Sequence, residues 1–590
     1  MADAVVAVTA KRGRFLIAEP LFDPGERISL GGGRRVGAGR IVLLQPGRGG
    51  KAKVLREIGR PDRAGDVVEA LLAENGIRRG FAKDVESEAE RVAESAAGIG
   101  GERRDLTGLP TFTVDPASAH DFDDAVSAER SGDGVRVWIH IADVAAHVRP
   151  GGALEAEAYE RANSTYVPGS VEPMLPHTLS SGACSLSAGV ERLAVTAEME
   201  VSASGEPRSA SFYRSRIRSD DRMDYDQLDR VFAGREKPDG EIADPLALAR
   251  EVAAGIAERR RGGSLEVSSS EPDFEFDVKG NVVAARAVPQ TEAHSLIEQL
   301  MIATNERVAE LLERKSVPAI YRVHEQPDPE RVKRLFEQLA ALDLPTPAMP
   351  DNLGPTQAGK LAVEASRLVR KEAARRGHGA EAYTSLVLRS LNQARYTEQN
   401  LGHAGLGSGA YAHFTSPIRR YPDLVVHRAL LSTIGGGEQA PPARGLADVA
   451  AHCSDRERAA SKIERRADDV CASFLLQREL FERGPDARFE GEVSGVIGAG
   501  AFVRFGGQLA DVYEGFLPAR LIGGRERFEL DETETMLVGG RDGAAVRFGD
   551  PITVGVERID APRGRVDLIP SEPESPSRGG RGKRGRDRGR

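Results

Sequence analysis

Residues 113–126 read TVDPASAHDFDDAV, and four aspartates, Asp115, Asp121, Asp123 and Asp124, crowd into ten positions of that run. Phe112 and Val114 alternate ahead of the cluster, Phe122 interrupts it, and Val135, Trp138, Ile139 and Ile141 form an apolar segment soon after. The apolar stretch reads as a strand entering a sheet, with acids on the strand and its following loop. Carboxylates that converge repel one another, so one must take up a proton or a cation must sit between them. A short Asp run is ordinarily a solvated loop. Carboxylates held between apolar elements are hard to explain that way. Oxygen-only ligands suit hard ions, Mg²⁺ first and Mn²⁺ second.

A chain of 590 residues is too long for one core, and its length suggests about four structural units. It contains no run of 18 apolar residues, and the N-terminus MADAVVAVTAKRGR lacks the basic-then-apolar order of a secretory signal. A cytoplasmic protein without a membrane partner is expected. Cys184, Cys453 and Cys471 are widely spaced and lack a CxxC pair, which points to buried thiols. The formal net charge of −9 conceals its distribution. Residues 1–60 carry twelve Lys/Arg against five Asp/Glu, and residues 578–590, RGGRGKRGRDRGR, carry seven basic residues against one acid. Both ends suit phosphates while the middle stays negative.

The fold class expected is multi-domain α+β: a large mixed catalytic domain flanked by small all-β barrels of OB type. Residues 1–62 alternate short apolar stretches with Gly- and Pro-rich turns and read as a small barrel. Residues 63–110 read as a helical connector, with DVVEALLAENG ending at a glycine stop. Residues 111–484 carry β-like segments up to about 290, then long amphipathic helices around 293–315, 357–376, 383–398, 421–434 and 446–484. Residues 485–570 return to short strands and glycines as a second barrel, and 571–590 form a basic Arg/Gly-rich tail expected to be disordered. In the second barrel Phe489, Phe502, Phe505 and Phe516 fall at strand positions, with Arg504 between two of them. Aromatics and arginine on a barrel face give stacking platforms for single-stranded bases, and Phe502 and Phe505 are the candidates.

Three further segments set polar groups within apolar context. RANSTYVPGSVEPMLPHTLSSGACSL, residues 161–186, has too much Pro and Ser for long regular structure and holds Tyr166 in its middle. HSLIEQLMIATNERVAELL, residues 294–312, has a core-facing stripe of Leu296, Leu300, Ala303 and Val308, while Glu298 and Asn305 share one face. In YAHFTSPIRRYPDLVVHRALL, residues 411–431, an extended approach ends at Ser416-Pro417 and a helix starts near Pro422. A helix N-terminus beside Arg419 and Arg420 offers amides, a positive dipole end and guanidinium forks, which together suit phosphate.

TVDPASAHDFDDAV, WIHIADVAAHV, the 161–186 block, SLIEQLMIATNE, YRVHEQP and YAHFTSPIRRYPDLVVHR occur in that order. In these blocks the chain resembles the ribonuclease II / ribonuclease R family of 3′-to-5′ exoribonucleases, which share an RNB catalytic domain, and the resemblance covers nearly all of it. It implies that Asp115, Asp121, Asp123 and Asp124 are metal-binding and catalytic carboxylates, with Asp123 the position least tolerant of Asn, and that Arg419 clamps the scissile phosphate. It implies that Tyr166 stacks at the 3′-terminal nucleotides and that Tyr225, in RMDYDQL, favours RNA over DNA through the 2′-hydroxyl. Glu298 and Glu464, the latter in SKIERRADD, resemble acids lining the RNA channel. The activity implied is processive hydrolysis of single-stranded RNA from its 3′ end to 5′-mononucleotides by a monomer. Two Mg²⁺ ions about 3.5–4 Å apart would supply activated water and charge neutralisation. The alternative is an RNA-binding regulator that keeps the fold and has lost hydrolysis.

The chain departs from the family's pattern in places. His120 stands where an Arg or Lys often precedes DFDD, and Gln299 follows Glu298 where a second acid is common. The Phe that usually partners the tyrosine at position 166 has Val267 near its place, with Phe274 and Phe276 farther on. Ahead of the catalytic domain there is room for about one cold-shock-like barrel.

Overall fold

The computed structural model describes residues 4–571 except 24, 34–35, 48–50, 96–101, 203, 239, 266–270, 510–511, 523–526 and 541–542. All but the first residue of the predicted basic tail, and Val267, therefore lie outside the described residues. Strands β1 (Val5–Arg12), β2 (Phe15–Pro20), β3 (Ile28–Gly33), β4 (Ile41–Pro46) and β5 (Lys51–Gly59) close a barrel in the order β1-β2-β3-β5-β4. The alternation in β5 explains the closure: Ala52 and Val54 point inward to Ala7, Ala18, Val42 and Leu44, while Lys51, Lys53 and Leu55 stay exposed. Helices α1 (Ala64–Glu74) and α2 (Lys83–Ser95) follow.

A seven-stranded sheet forms the next unit. It comprises β6 (Arg104–Asp105), β7 (Phe112–Asp115), β8 (Asp124–Ser131), β9 (Gly134–Ala142), β12 (Glu191–Ser202), β13 (Pro207–Arg218) and β14 (Asp221–Asp224), in the order β14-β7-β8-β9-β12-β13-β6. Because β6 already pairs with β13, the sheet begins inside the stretch expected to be connector. Between β9 and β12 come α3 (Val144–His147), α4 (Ala153–Arg161), a small hairpin of β10 (Thr165–Val167) and β11 (Ser170–Glu172), and a π-helical turn at Thr178–Ala183. Helices α5 (Tyr225–Phe232) and α6 (Ala243–Arg260) and the hairpin β15 (Glu271–Phe276) with β16 (Val282–Val288) follow. The helical content before residue 290 exceeds the expectation. Ala-rich α6 has little hydrophobic asymmetry to betray it, yet its Leu246, Ala249 and Val252 pack into the sheet core.

Helix α7 (Glu292–Arg314) joins that core through Leu296, Leu300, Ala303 and Val308, as its stripe predicts. Next come β17 (Tyr321–Val323), α8 (Pro329–Ala341), α9 (Pro355–Arg376), α10 (Ala380–Ser390), β18 (Arg395–Thr397), α11 (Tyr421–Thr433) and α12 (Leu446–Arg483). The helix expected over 383–398 stops at Ser390. The chain turns extended at Leu391, Asn392 donates to the Gln326 carbonyl, and β18 pairs with β17. The pairing of distant strands overrides local propensity there.

The second barrel closes from β19 (Arg488–Ile497), β20 (Gly500–Phe505), β21 (Tyr513–Pro518), β26 (Arg565–Pro570) and β25 (Pro551–Asp560). Between β21 and β25 lie α13 (Ala519–Ile522) and a sheet of β22 (Phe528–Leu530), β23 (Met536–Gly539) and β24 (Ala545–Arg547). Helix α12 is the spine: its Ile463, Val470, Leu475 and Leu476 share one core with Val67 and Leu71 of α1 and Phe489 and Val503 of the second barrel. Cys184, Cys453 and Cys471 are buried free thiols, as expected. Among the described residues, no helix is long and apolar enough to cross a membrane.

Asp143 fastens three parts of this fold. Its fully buried carboxylate caps α3 through the Ala146 N–H and pairs with Arg103 at 2.7 Å and Arg214 at 2.9 Å. Burial alone would raise its pKa, but the guanidiniums of Arg214 and Arg103 outweigh that and hold the carboxyl below its ordinary value. A depressed folded pKa means the stabilisation is present at neutral pH and lost as the pH falls below the carboxylate range. Asp143→Asn is expected to destabilise the protein by about 3 kcal/mol, because it removes the carboxylate that two buried guanidiniums share, although Arg214 keeps its pair with Glu438 at 3.0 Å; denaturant unfolding at neutral pH checks this.

Candidate active site

The register Phe112↔Val126 runs β7 and β8 antiparallel, so the end of β7 at Asp115 lies beside the start of β8 at Asp124. The intervening loop carries Asp121 and Asp123 to the same sheet edge. Parallel β14 pairs Asp224 with Asp115, which places Tyr225, the first residue of α5, next to the acids. All four aspartates, Tyr166, Tyr225, Glu298, Asn305, Arg419 and Arg420 line one cavity of about 490 Å³.

Neighbouring segments pin the acidic loop. Ser185 donates to the His120 carbonyl and accepts from the Phe122 N–H, the Phe122 carbonyl accepts from Leu186, and Arg222 donates to the carbonyls of Pro116 and Ala117. The SPIRR loop meets it from the other side. The Ile418 N–H donates to Asp123 Oδ1 at 2.8 Å, and Arg419 Nε lies 3.5 Å from Asp123 Oδ2. This loop is itself zipped to the 161–186 segment: Ser164 donates to the Arg419 carbonyl and Tyr421 to the Ala162 carbonyl. Ala162 adopts φ +60° at that junction, a strained backbone for an alanine that two packed segments hold in place.

The acids are under-compensated. Burial and then the charge of Asp124 push Asp115 up to about 8, with Arg222 and Arg419 opposing. Burial raises Asp124 to about 6 and drives Asp123, only 4 % exposed, well above the usual carboxylate range. Buried Asp115 Oδ2 and Asp123 Oδ2 accept no hydrogen bond. Hard oxygens without hydrogen bonds, in a cavity where burial outweighs the nearby guanidiniums, fit a divalent cation. Among the described residues no three His, Cys, Asp or Glu side chains already point at one cation position. Mg²⁺ does not need such a cage, since it keeps several waters and takes one or two carboxylates directly.

The other expected residues divide into those at the cavity and those used elsewhere. Tyr166 is 39 % exposed and its hydroxyl donates to Asp121 Oδ2 at 3.3 Å. Tyr225 stacks face to face on His294 at 4.0 Å. Glu298, and not Gln299, faces the cavity; burial raises its pKa, with Arg260 opposing. Asn305 pins the loop, accepting from the Phe414 N–H and donating to Tyr411 Oη.

One assignment changes, that of Phe505, and two further residues carry structural contacts. Arg420 lines the cavity and also closes on buried Asp423 through Nε at 2.9 Å and Nη2 at 2.7 Å, so its charge is shared with a core carboxylate. Glu464 does not line the cavity; it accepts the Tyr166 N–H at 2.8 Å and steadies that tyrosine's strand. Phe505 is 2 % exposed, packed between Phe489 and Tyr513 in the barrel core, because strand alternation points it inward. Phe502 is half-buried beside Phe516. Sequence reading missed Arg222, Ser185 and His294, whose partners lie far away along the chain. The His294 position at the third residue of α7, where it shares a cap with Thr291, was the one local signal.

Comparison with known proteins places this geometry in context. Residues 103–436, more than half of the chain, match the RNB domain model. Ribonuclease R 1 of Lactococcus lactis subsp. lactis is 34 % identical over 531 residues, covering 87 % of this chain and 62 % of that protein. Ribonuclease R of Thermotoga maritima is 33 % identical over 547 residues, covering 89 % of this chain and 73 % of that protein. The chain thus spans about two thirds of the length of these relatives. Mycoplasma genitalium RNase R in complex with ribose-methylated single-stranded RNA superposes with a TM-score of 0.84 at 24 % identity, over 96 % of this chain and 89 % of that one, a likeness of fold.

Proposed function

Because this chain belongs to the ribonuclease II / ribonuclease R family of RNB-domain proteins, we propose that it hydrolyses single-stranded RNA processively from the 3′ end, releasing 5′-mononucleotides. The observation that carries the reading is Asp123, held by the Ile418 N–H and flanked by Arg419 on the floor of a cavity that two tyrosines border. Asp115, Asp121, Asp123 and Asp124 would hold Mg²⁺, with Mn²⁺ as substitute. When bound, the metal activates water and neutralises charge developing on the phosphate. Arg419 presents a guanidinium preorganised for the same phosphate, worth on the order of 3–4 kcal/mol. Tyr166 offers its ring to the terminal bases, and Tyr225 its hydroxyl to the ribose. The same reading makes the protein a cytoplasmic monomer acting in RNA turnover.

Labelled poly(A) incubated with the protein and Mg²⁺, and in parallel with EDTA, tests the proposal. Mononucleotides released only with the metal are expected. Binding without release would leave the RNA-binding regulator as the reading. For Tyr225→Ala, discrimination between RNA and DNA 3′ ends should shrink about tenfold, the worth of one hydrogen bond. Unchanged selectivity in paired RNA and DNA assays would remove Tyr225 from that role.

A further inference from the structure

We infer that Arg79, in the connector between the first barrel and the catalytic sheet, is a positioning residue for the 3′ end of the RNA. It would act by clamping the β10–β11 hairpin that carries Tyr166, and the inference rests on the reading of Tyr166 as the ring that meets the terminal nucleotides. The hairpin has three residues in each strand and, among the described residues, no third strand beside it. Two isolated strands of that length are marginal on their own, so their position is set by what grips them from outside.

Thr165 and Val167 point inward and Tyr166 outward, where its hydroxyl reaches Asp121. At the turn Gly169 takes φ +75° with the Phe276 ring against it, where an added Cβ would stand 3.1 Å from that ring. This supplies a seat for Phe276 close to the clamp, though beneath the turn. On the far strand Val171 lies opposite Tyr166, and Ser170 and Glu172 flank Val171. Arg79 grips both flanking residues. Its Nη1 pairs with the Glu172 carboxylate and donates to Ser170 Oγ at 2.8 Å, while its Nε donates to Glu69 of α1 at 2.7 Å. The Glu172 side chain is 5 % exposed, so Arg79 supplies the charge that lets that carboxylate stay buried. Glu69 also pairs with Arg56 of β5 at 2.9 Å, which ties the grip to the first barrel.

Without Arg79 the buried Glu172 is left uncompensated, and a short hairpin yields more easily than the sheet around it. The strand behind Tyr166 then moves, and with it the ring. RNA of about 25 nucleotides has additional contacts along its length, whereas RNA of about five depends on the terminal site, where each stacked base matters most. Arg79→Met should lower kcat/KM on the short RNA about tenfold and on the long RNA less than about threefold. Arg79→Glu should show the same loss, and Arg79→Lys, which keeps a cation beside Glu172 and Glu69, should retain most of the short-RNA rate. In a double-mutant cycle, Arg79→Met should add nothing to the short-RNA loss of Tyr166→Ala. Equal losses on both lengths, or losses additive with Tyr166→Ala, would overturn the inference. Wild-type protein inactive on both RNAs would instead overturn the proposed function.

Discussion

Asp123→Asn is expected to lower RNA hydrolysis at least about 10³-fold, some 4 kcal/mol of transition-state stabilisation, while leaving RNA affinity within about threefold. The substitution separates two jobs of one carboxylate. Asn keeps an oxygen that can accept the Ile418 N–H, so the bond that docks the SPIRR loop survives. It replaces Oδ2, the buried oxygen without a hydrogen bond, by an NH₂ that cannot bind a cation. Burial already disfavours the charge on Asp123, so a neutral residue of the same shape should cost little stability. Single-turnover hydrolysis and filter binding with the same labelled RNA make the measurement. Hydrolysis at the wild-type rate would show that the site has been assigned to the wrong carboxylate.

Arg419→Lys is expected to cut kcat by about 10²–10³, the usual worth of one preorganised donor to a developing oxyanion. Charge is conserved, so a simple electrostatic attraction for RNA would survive the change. What is lost is the planar fork, which a lysine cannot reproduce. In this protein the fork is already oriented: Nε lies 3.5 Å from Asp123 and Nη2 donates to Ser416 Oγ. A lysine there keeps neither arrangement. The loss should fall on kcat with KM nearly unchanged, and a loss confined to KM would mean that Arg419 binds the ground state only.

The expected barrels at both ends and the α7 stripe were legible because each rests on a local period, two for strands and 3.6 for helices. Asp115, Asp121, Asp123 and Asp124 were legible as a group because only eight residues separate the first from Asp124, within reach of one turn between adjacent strands. The same local logic failed for Phe505 and was incomplete for Arg420. A barrel strand shows that alternate residues point inward but not which set does so, and Phe505 fell on the inner face. Arg420 looks equivalent to Arg419 in sequence, and the structure shows that a buried acid three residues on shares its guanidinium.

The sequence by itself determined the order of units, the acids and the arginine that answers them, since these depend on residue type and short spacing. Only the tertiary structure decided which groups face the cavity and what holds them there. Tyr166 is backed by Glu464 and by the hairpin that Arg79 grips, and Tyr225 by His294; Asp123 is met by the Ile418 amide, 295 positions away. Contacts between residues that far apart leave no periodicity or spacing in the chain. They exist because a β-sheet edge, a two-stranded hairpin and a loop can be brought together only after the core beneath them has packed.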